Sequence, residues 1–294
     1  MIDIFSALGY RLAAFGKTPD TVEVVRRAAV ENPWFLPQEI IRAVKVIRCE
    51  MLERQRLEAW AGAYPPVRTP KRVLVVMAGN IPLVGFFDLL CVLASGHACR
   101  VKPSSKDTVL IGYVVDLLRT IDPAIPLRMA EQGERPDAVI ATGSDNANRY
   151  FRMLFGGIPS LLRGSRQSVA VLSGRETAAE LSGLEEDIFS YSGLGCRNVS
   201  LLFLPRGYLP ELRCTALNEK YRRNYLRERA LLRMRRMPFV DLDGAVLCED
   251  RSFPAALSCI HYTFYDSLAD VEAWLAAHDD RLQCVVSQCV RHSR

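Results

Sequence analysis

The sequence contains no CxxC pair, no GxGxxG fingerprint, no Walker-type glycine loop and no uninterrupted run of 18 apolar residues. Nine cysteines lie scattered from Cys49 to Cys289 without metal-ligand spacing. That usage points to reduced thiols in a cytoplasm, with neither a disulfide framework nor a bound metal. The missing glycine patterns remove the two commonest phosphate-cradling loops. The longest apolar stretch, Ile81 to Leu93, is interrupted by Pro82, Gly85 and Asp88, so no membrane span is expected. Met1-Ile2-Asp3 opens no basic-then-apolar secretory signal. Repeats of fixed period and low-complexity tracts are also missing. The net charge of +5 over 294 residues allows attraction to anionic small molecules without calling for nucleic acid.

What is present is an alternation. With 49% hydrophobic and 24% charged residues, the chain can bury a large core. Residues 21–64 read as helical, interrupted at Pro33 or Pro37 and closed by Tyr64-Pro65-Pro66. The run Val73-Leu74-Val75-Val76-Met77 follows, β-branched and bounded by turn residues, as a buried parallel strand. A helix from Leu83 to Ser95, a short strand at Val101, a helix over 107–120 and a strand Ala138 to Ala141 come next. A second block starts near Ser168 with the strand Val169 to Leu172, then Val199 to Leu204, a basic helix Asn218 to Met237, a strand Cys259 to Phe264, a helix Leu268 to Ala277 and a strand Leu282 to Ser287. Strand and helix in alternation predict an α/β protein, with an open parallel sheet in the first block, the cofactor domain, an α/β catalytic domain in the second, and ligands beyond the carboxyl ends of the strands. The expected divisions are an N-terminal helical region (1–69), a dinucleotide-binding domain (70–165) and a catalytic domain (166–294), the last two meeting at the Gly164-Ser165 turn.

Four turns could carry chemistry. In Ser192-Gly193-Leu194-Gly195-Cys196-Arg197-Asn198, two glycines before a cysteine at the mouth of a strand allow a tight backbone and close approach of a ligand; a small buried core residue is the other reading of that cysteine. Asn80, in Met77-Ala78-Gly79-Asn80-Ile81-Pro82, can donate its amide to an oxyanion or satisfy its own turn. In Val101-Lys102-Pro103-Ser104-Ser105, a lysine with neighbouring hydroxyls suits a ribose or phosphate, and equally a solvated turn. Thr142-Gly143-Ser144 lets backbone approach a cofactor or simply joins strand to helix.

The order of these turns resembles the aldehyde dehydrogenase superfamily, and more closely its acyl-CoA reductase branch, typified by the fatty acid reductase of bacterial bioluminescence. There an Asn-x-Pro turn precedes a Lys-Pro-Ser turn, a Thr-Gly-Ser turn, a glycine-rich stretch and a Gly-x-Cys nucleophile. The match covers about residues 70 to 285, with Asn80, Lys102, Gly143-Ser144, Gly164 and Cys196 in that order. The resemblance implies Cys196 as nucleophile and Asn80 with the Cys196 N–H as oxyanion hole. It implies Lys102, with Ser104 and Ser105, at the adenosine ribose, and Gly143 and Ser144 on the nicotinamide side. The implied cofactor is NADPH or NADH, with CoA as leaving group.

Three departures refine that expectation. Where hydrolytic relatives carry the glutamate that activates the deacylating water, this chain has Leu162, which favours exchange with CoA over oxidation to an acid. Ser105 replaces the glutamate that NAD-preferring relatives use on the ribose hydroxyls, so a 2′-phosphate is permitted. The Glu-x-Phe turn that holds the nicotinamide ribose has no counterpart around Phe253 to Ala256. Relatives also continue beyond the point where this sequence ends. The basic, unpatterned tail Gln288 to Arg294 therefore reads as a catalytic domain lacking its C-terminal segment, which leaves oligomer formation open. The implied function is reduction of an acyl-CoA, fatty acyl in class, to an aldehyde, with an acyl-donor protein as a further candidate partner. The alternatives are an inactive remnant of that enzyme, or nucleic-acid binding through Lys220, Arg222, Arg223, Arg227, Arg229, Arg233, Arg235 and Arg236; a solvated or docking face suits that helix better than nucleic acid.

Overall fold

A computed structural model describes residues 1–65 and 67–293; Pro66 of the expected helix-closing turn and Arg294 of the tail lie outside the described residues. The chain divides into two compact units, Met1–Gly164 and Ser165–Arg294.

The first unit is built on a parallel sheet of β1 (Arg72–Val76), β2 (Ala98–Lys102), β3 (Leu127–Met129), β4 (Ala138–Thr142) and β5 (Ser160–Arg163), in the order β3-β2-β1-β4-β5. Four helices precede the sheet: α1 (Ile2–Arg11), α2 (Pro19–Glu31), α3 (Pro37–Met51) and α4 (Arg54–Gly62). Within it lie α5 (Phe86–Ala94), α6 (Thr108–Ile121) and α7 (Asp145–Phe155). Pro19 and Pro37 each stand at a helix start, where the missing N–H removes nothing the helix needs. The N-terminal helices share one core with the sheet. Phe5, Leu8, Val25 and Ile40 pack in the same cluster as Val73, Val75, Cys99 and Val101, with Leu89, Leu93, Ile111 and Leu118 from α5 and α6.

The run from Val73 to Met77 is buried only at alternate positions, where its uniform apolar character suggested burial on both faces. The cause is the connection from β3 to β4. It passes over β2 and β1 in residues 130–137 and forms no helix, so Leu74 and Val76 are only partly covered. α5 begins at Phe86, three residues later than its apolar spacing suggested. Leu83 takes a left-handed φ of 57°, incompatible with an α-helical turn.

The second unit carries a six-stranded sheet, order β11-β6-β7-β10-β9-β8. Its strands are β6 (Gln167–Val171), β7 (Val199–Pro205), β8 (Val240–Asp241), β9 (Val246–Glu249), β10 (Cys259–Tyr265) and β11 (Leu282–Ser287). All pairings are parallel except β8 with β9, so this sheet is mixed. Its helices are α8 (Ala178–Phe189), α9 (Glu219–Met234) and α10 (Leu268–Ala277). α9 stops at Met234, short of Met237, because Arg236 turns left-handed at φ 56° and Pro238 follows. Val169, Val171, Leu201, Phe203, Val271 and Leu275 form one core; Tyr225, Leu232, Val246, Cys248 and Cys259 form another beneath α9. No helix among the described residues is long and apolar enough to cross a membrane.

Candidate active site

The turns singled out in the first unit gather at the carboxyl ends of adjacent strands. The Met77 N–H donates to the Lys102 carbonyl at 3.0 Å, so the ladder between β1 and β2 continues into both turns. Beyond it the backbones approach so closely that a Cβ on Gly79 would lie 2.6 Å from the Ser104 side chain. Only glycine fits there. Asn80, the next residue, is half-buried at this junction.

One residue that sequence reasoning missed holds the junction. Asp107 is 3% exposed and its Oδ2 accepts the Leu83 N–H at 2.7 Å, which fixes the left-handed residue closing the Asn80-Ile81-Pro82 turn. Its own N–H donates to the Ser104 carbonyl at 3.0 Å. Asp107 thus ties the lysine-serine turn to the asparagine turn. Asn32, at the end of α2, donates to the Lys106 carbonyl at 3.2 Å and clamps the same segment from outside. Asp107 Oδ1 is buried without a hydrogen-bond partner. Burial pushes the Asp107 carboxyl up to about 8, with nearby Glu31 adding to the rise and the Leu83 N–H opposing it. Sequence offers only one signal for this role: an aspartate immediately before a helix, where a capping function is expected but no capping hydrogen bond forms.

Lys102 and Ser105 are exposed and Ser104 is half-buried; the Ser104 hydroxyl accepts the Lys106 N–H at 3.3 Å. Lys102 borders a cleft of about 510 Å³ whose floor is the uncovered face of β1 and β2. Leu74 and Phe155 supply apolar wall, and Arg100 and Glu134 a polar one. Arg100 is 6% exposed and meets Glu134 at 2.8 Å; burial opposes the Glu134 charge, but the Arg100 hydrogen bond holds that carboxyl below its usual range. An ammonium beside an apolar wall fits an adenosine with its ribose and phosphates. Gly143 and Ser144 have visible structural duties. A Cβ on Gly143 would meet Ala147 at 2.9 Å, and the Ser144 hydroxyl caps α7 by accepting the Ala147 N–H at 3.3 Å.

Cys196 sits in the second unit, in the turn entering β7. It alone among the nine cysteines is exposed. The loop that carries it is under backbone strain, with Tyr191, Ser192 and Gly193 successively left-handed at φ 52°, 56° and 66°. For the two non-glycine residues this conformation costs on the order of 1–2 kcal/mol each. Asn198 holds it. Its Oδ1 accepts the Gly195 N–H at 2.8 Å, and its Nδ2 donates to the Asp187 and Ser190 carbonyls at 2.9 and 3.0 Å. Ser168 donates to the Cys196 carbonyl at 2.9 Å, anchoring the turn to β6. Asn198→Ala removes three hydrogen bonds and is expected to destabilise the protein by about 2–3 kcal/mol, read as a lower denaturant midpoint with unchanged slope.

No family model matches the sequence, and no curated protein does. Solved structures do. An NAD-dependent benzaldehyde dehydrogenase from Corynebacterium glutamicum matches with a TM-score of 0.69 at 13% identity, over 98% of this chain and 76% of that one. An aldehyde dehydrogenase from Bacillus cereus, determined with NAD+, matches at 0.66 and 11% identity, over 100% and 76%. Betaine aldehyde dehydrogenase from Staphylococcus aureus, also with NAD+, matches at 0.66 and 10%, over 99% and 75%. This is the aldehyde dehydrogenase fold. Within that fold, Leu162 lies half-buried in β5 opposite Ala141, so the position expected for a hydrolytic glutamate holds an apolar side chain. Phe253 packs against Trp274 with ring centroids 5.6 Å apart and lies under Arg281, a core duty. Among the described residues no group of three or more His, Cys, Asp or Glu could hold a metal ion.

Proposed function

We propose that this protein reduces an acyl-CoA thioester, fatty acyl in class, to an aldehyde with NADPH or NADH, through an acyl group carried on Cys196. The observation that carries the reading is the single exposed cysteine, held in a strained glycine loop pinned by Asn198. The Cys196 thiolate adds to the thioester carbonyl, forming a new C–S bond. The Asn80 amide and the Cys196 N–H stabilise the oxyanion, a role worth about 3–4 kcal/mol for a good donor. Collapse breaks the original C–S bond and releases CoA as its thiolate. Lys102, with Ser104 and Ser105, would hold the adenosine ribose of a nicotinamide cofactor, and Gly143 and Ser144 would line its nicotinamide side; such a cofactor would supply the hydride that reduces the acyl carbon. Release of the aldehyde then restores the Cys196 thiolate. Leu162 contributes by omission: with no carboxylate to activate water, the acyl-cysteine persists for reduction. Ser105 leaves room for a 2′-phosphate, where a carboxylate would repel it.

The test is incubation with an acyl-CoA and no reductant, followed by peptide mass spectrometry. The expected result is one acyl group on the Cys196 peptide with an equivalent of free CoA, formed more slowly in Asn80→Ala. Acylation of a different cysteine, or none in a folded sample, removes the mechanism.

A further inference from the structure

We propose that the exposed face of α9 docks a small acidic protein that carries the acyl group as a thioester. The link to the acyl group rests on the function proposed above; the docking rests on the surface itself. Residues 219–236 hold eight basic side chains against two carboxylates, more positive charge than the whole chain's net +5. Tyr221, Tyr225 and Leu232 turn inward, which leaves the opposite face to solvent. On that face Leu226 is 43% and Met234 81% exposed, two turns apart along one line of the helix. Arg222, Arg223, Arg227 and Arg233 flank them, all exposed, and Arg222 and Arg227 form no ion pair among the described residues.

The result is an apolar ridge between rows of guanidinium groups. Its complement is a helix with an apolar ridge between carboxylates. Arginine and methionine are enriched at protein interfaces and lysine depleted, and this face holds one lysine. A membrane-surface helix would present a broad apolar face of Trp, Phe and Leu, whereas the only large apolar side chains exposed on α9 are Leu226 and Met234. Duplex phosphates would engage the charges and leave the ridge idle. Tyr221 of α9 packs edge-on against Phe189, centroids 6.4 Å apart, and Phe189 ends the helix that leads into the Cys196 loop. The helix that carries the docking face is thus joined through its buried side to the segment before Cys196.

The experiment measures fluorescence-anisotropy binding of the whole chain to an acyl carrier protein bearing a fatty acyl thioester. Anionic phospholipid vesicles and a random DNA duplex are titrated in parallel. The double change Arg222→Glu with Arg227→Glu is expected to weaken carrier binding at least about tenfold, and Leu226→Ala with Met234→Ala several-fold. Both variants are expected to melt with the parent and to reduce free acyl-CoA at its rate. Carrier binding lost in both variants supports the surface even if the parent chain is inert toward free acyl-CoA, an outcome that removes only the proposed reaction. No carrier binding, binding indifferent to both variants, or equal affinity for vesicles or duplex that survives loss of Leu226 and Met234 overturns it.

Discussion

Cys196→Ala is expected to lower acyl-CoA-dependent oxidation of the reduced nicotinamide by at least about 10³-fold, with no change in melting temperature. The size follows from the route. Without a thiol no acyl group is held in place, and the remaining donors have no tetrahedral adduct to stabilise. The neutral stability follows from exposure: the Cys196 side chain fills no core, and the loop is held by Asn198 and Ser168 through backbone atoms that alanine retains. Three other thiols are poor substitutes because their surroundings hold them protonated. Burial pushes the Cys91 thiol up to about 11 and the Cys99 thiol up to about 12, so neither supplies thiolate at neutral pH. Cys259 is raised further by its contact with Cys248 and by burial. Residual turnover close to the parent's would show that the reduction does not pass through Cys196.

How much of this was legible in the sequence differs between the two units. The strand Leu282 to Ser287 and the helix Leu268 to Ala277 match the structure residue for residue, and the buried strand from Val199 was legible from its apolar run. The strand Leu127–Met129 did not, because three residues between Pro126 and a polar loop show no period. β5 is mostly exposed and α8 carries Gly183 within a weakly amphipathic turn, so neither had a pattern to read. The turns bearing Asn80, Lys102, Gly143 and Cys196 were visible because glycine and proline punctuate strand ends. The residues that hold those turns were not. Asn198 and Asp107 act through hydrogen bonds to backbone groups whose position depends on the finished fold, and no local spacing announces them. The open face above Leu74 was equally hidden, since it arises from a helix that the eight residues from 130 to 137 do not form.

Asp107 has the largest expected effect on stability, and its sign is determined. The folded carboxyl stands near 8 against an ordinary value of 3.8. Below about pH 4 both states carry the proton and Asp107 contributes nothing to pH dependence. Between about 4 and 8 the unfolded chain loses that proton while the folded one keeps it, so stability falls as pH rises. Above about 8 the loss is complete. A separation of this size corresponds to roughly 6 kcal/mol at most. Asp107→Asn keeps an oxygen for the Leu83 N–H and removes the ionisation. It is expected to match the parent near pH 4 and to exceed it by a few kcal/mol at pH 8, measured by denaturant unfolding across that range. Asp107→Leu removes the acceptor as well, stranding a buried N–H at a cost of about 1–3 kcal/mol at every pH. Parallel stability curves for the parent and Asp107→Asn would show that residue 107 is ionised throughout, and would require a partner for Oδ1 to hold that charge.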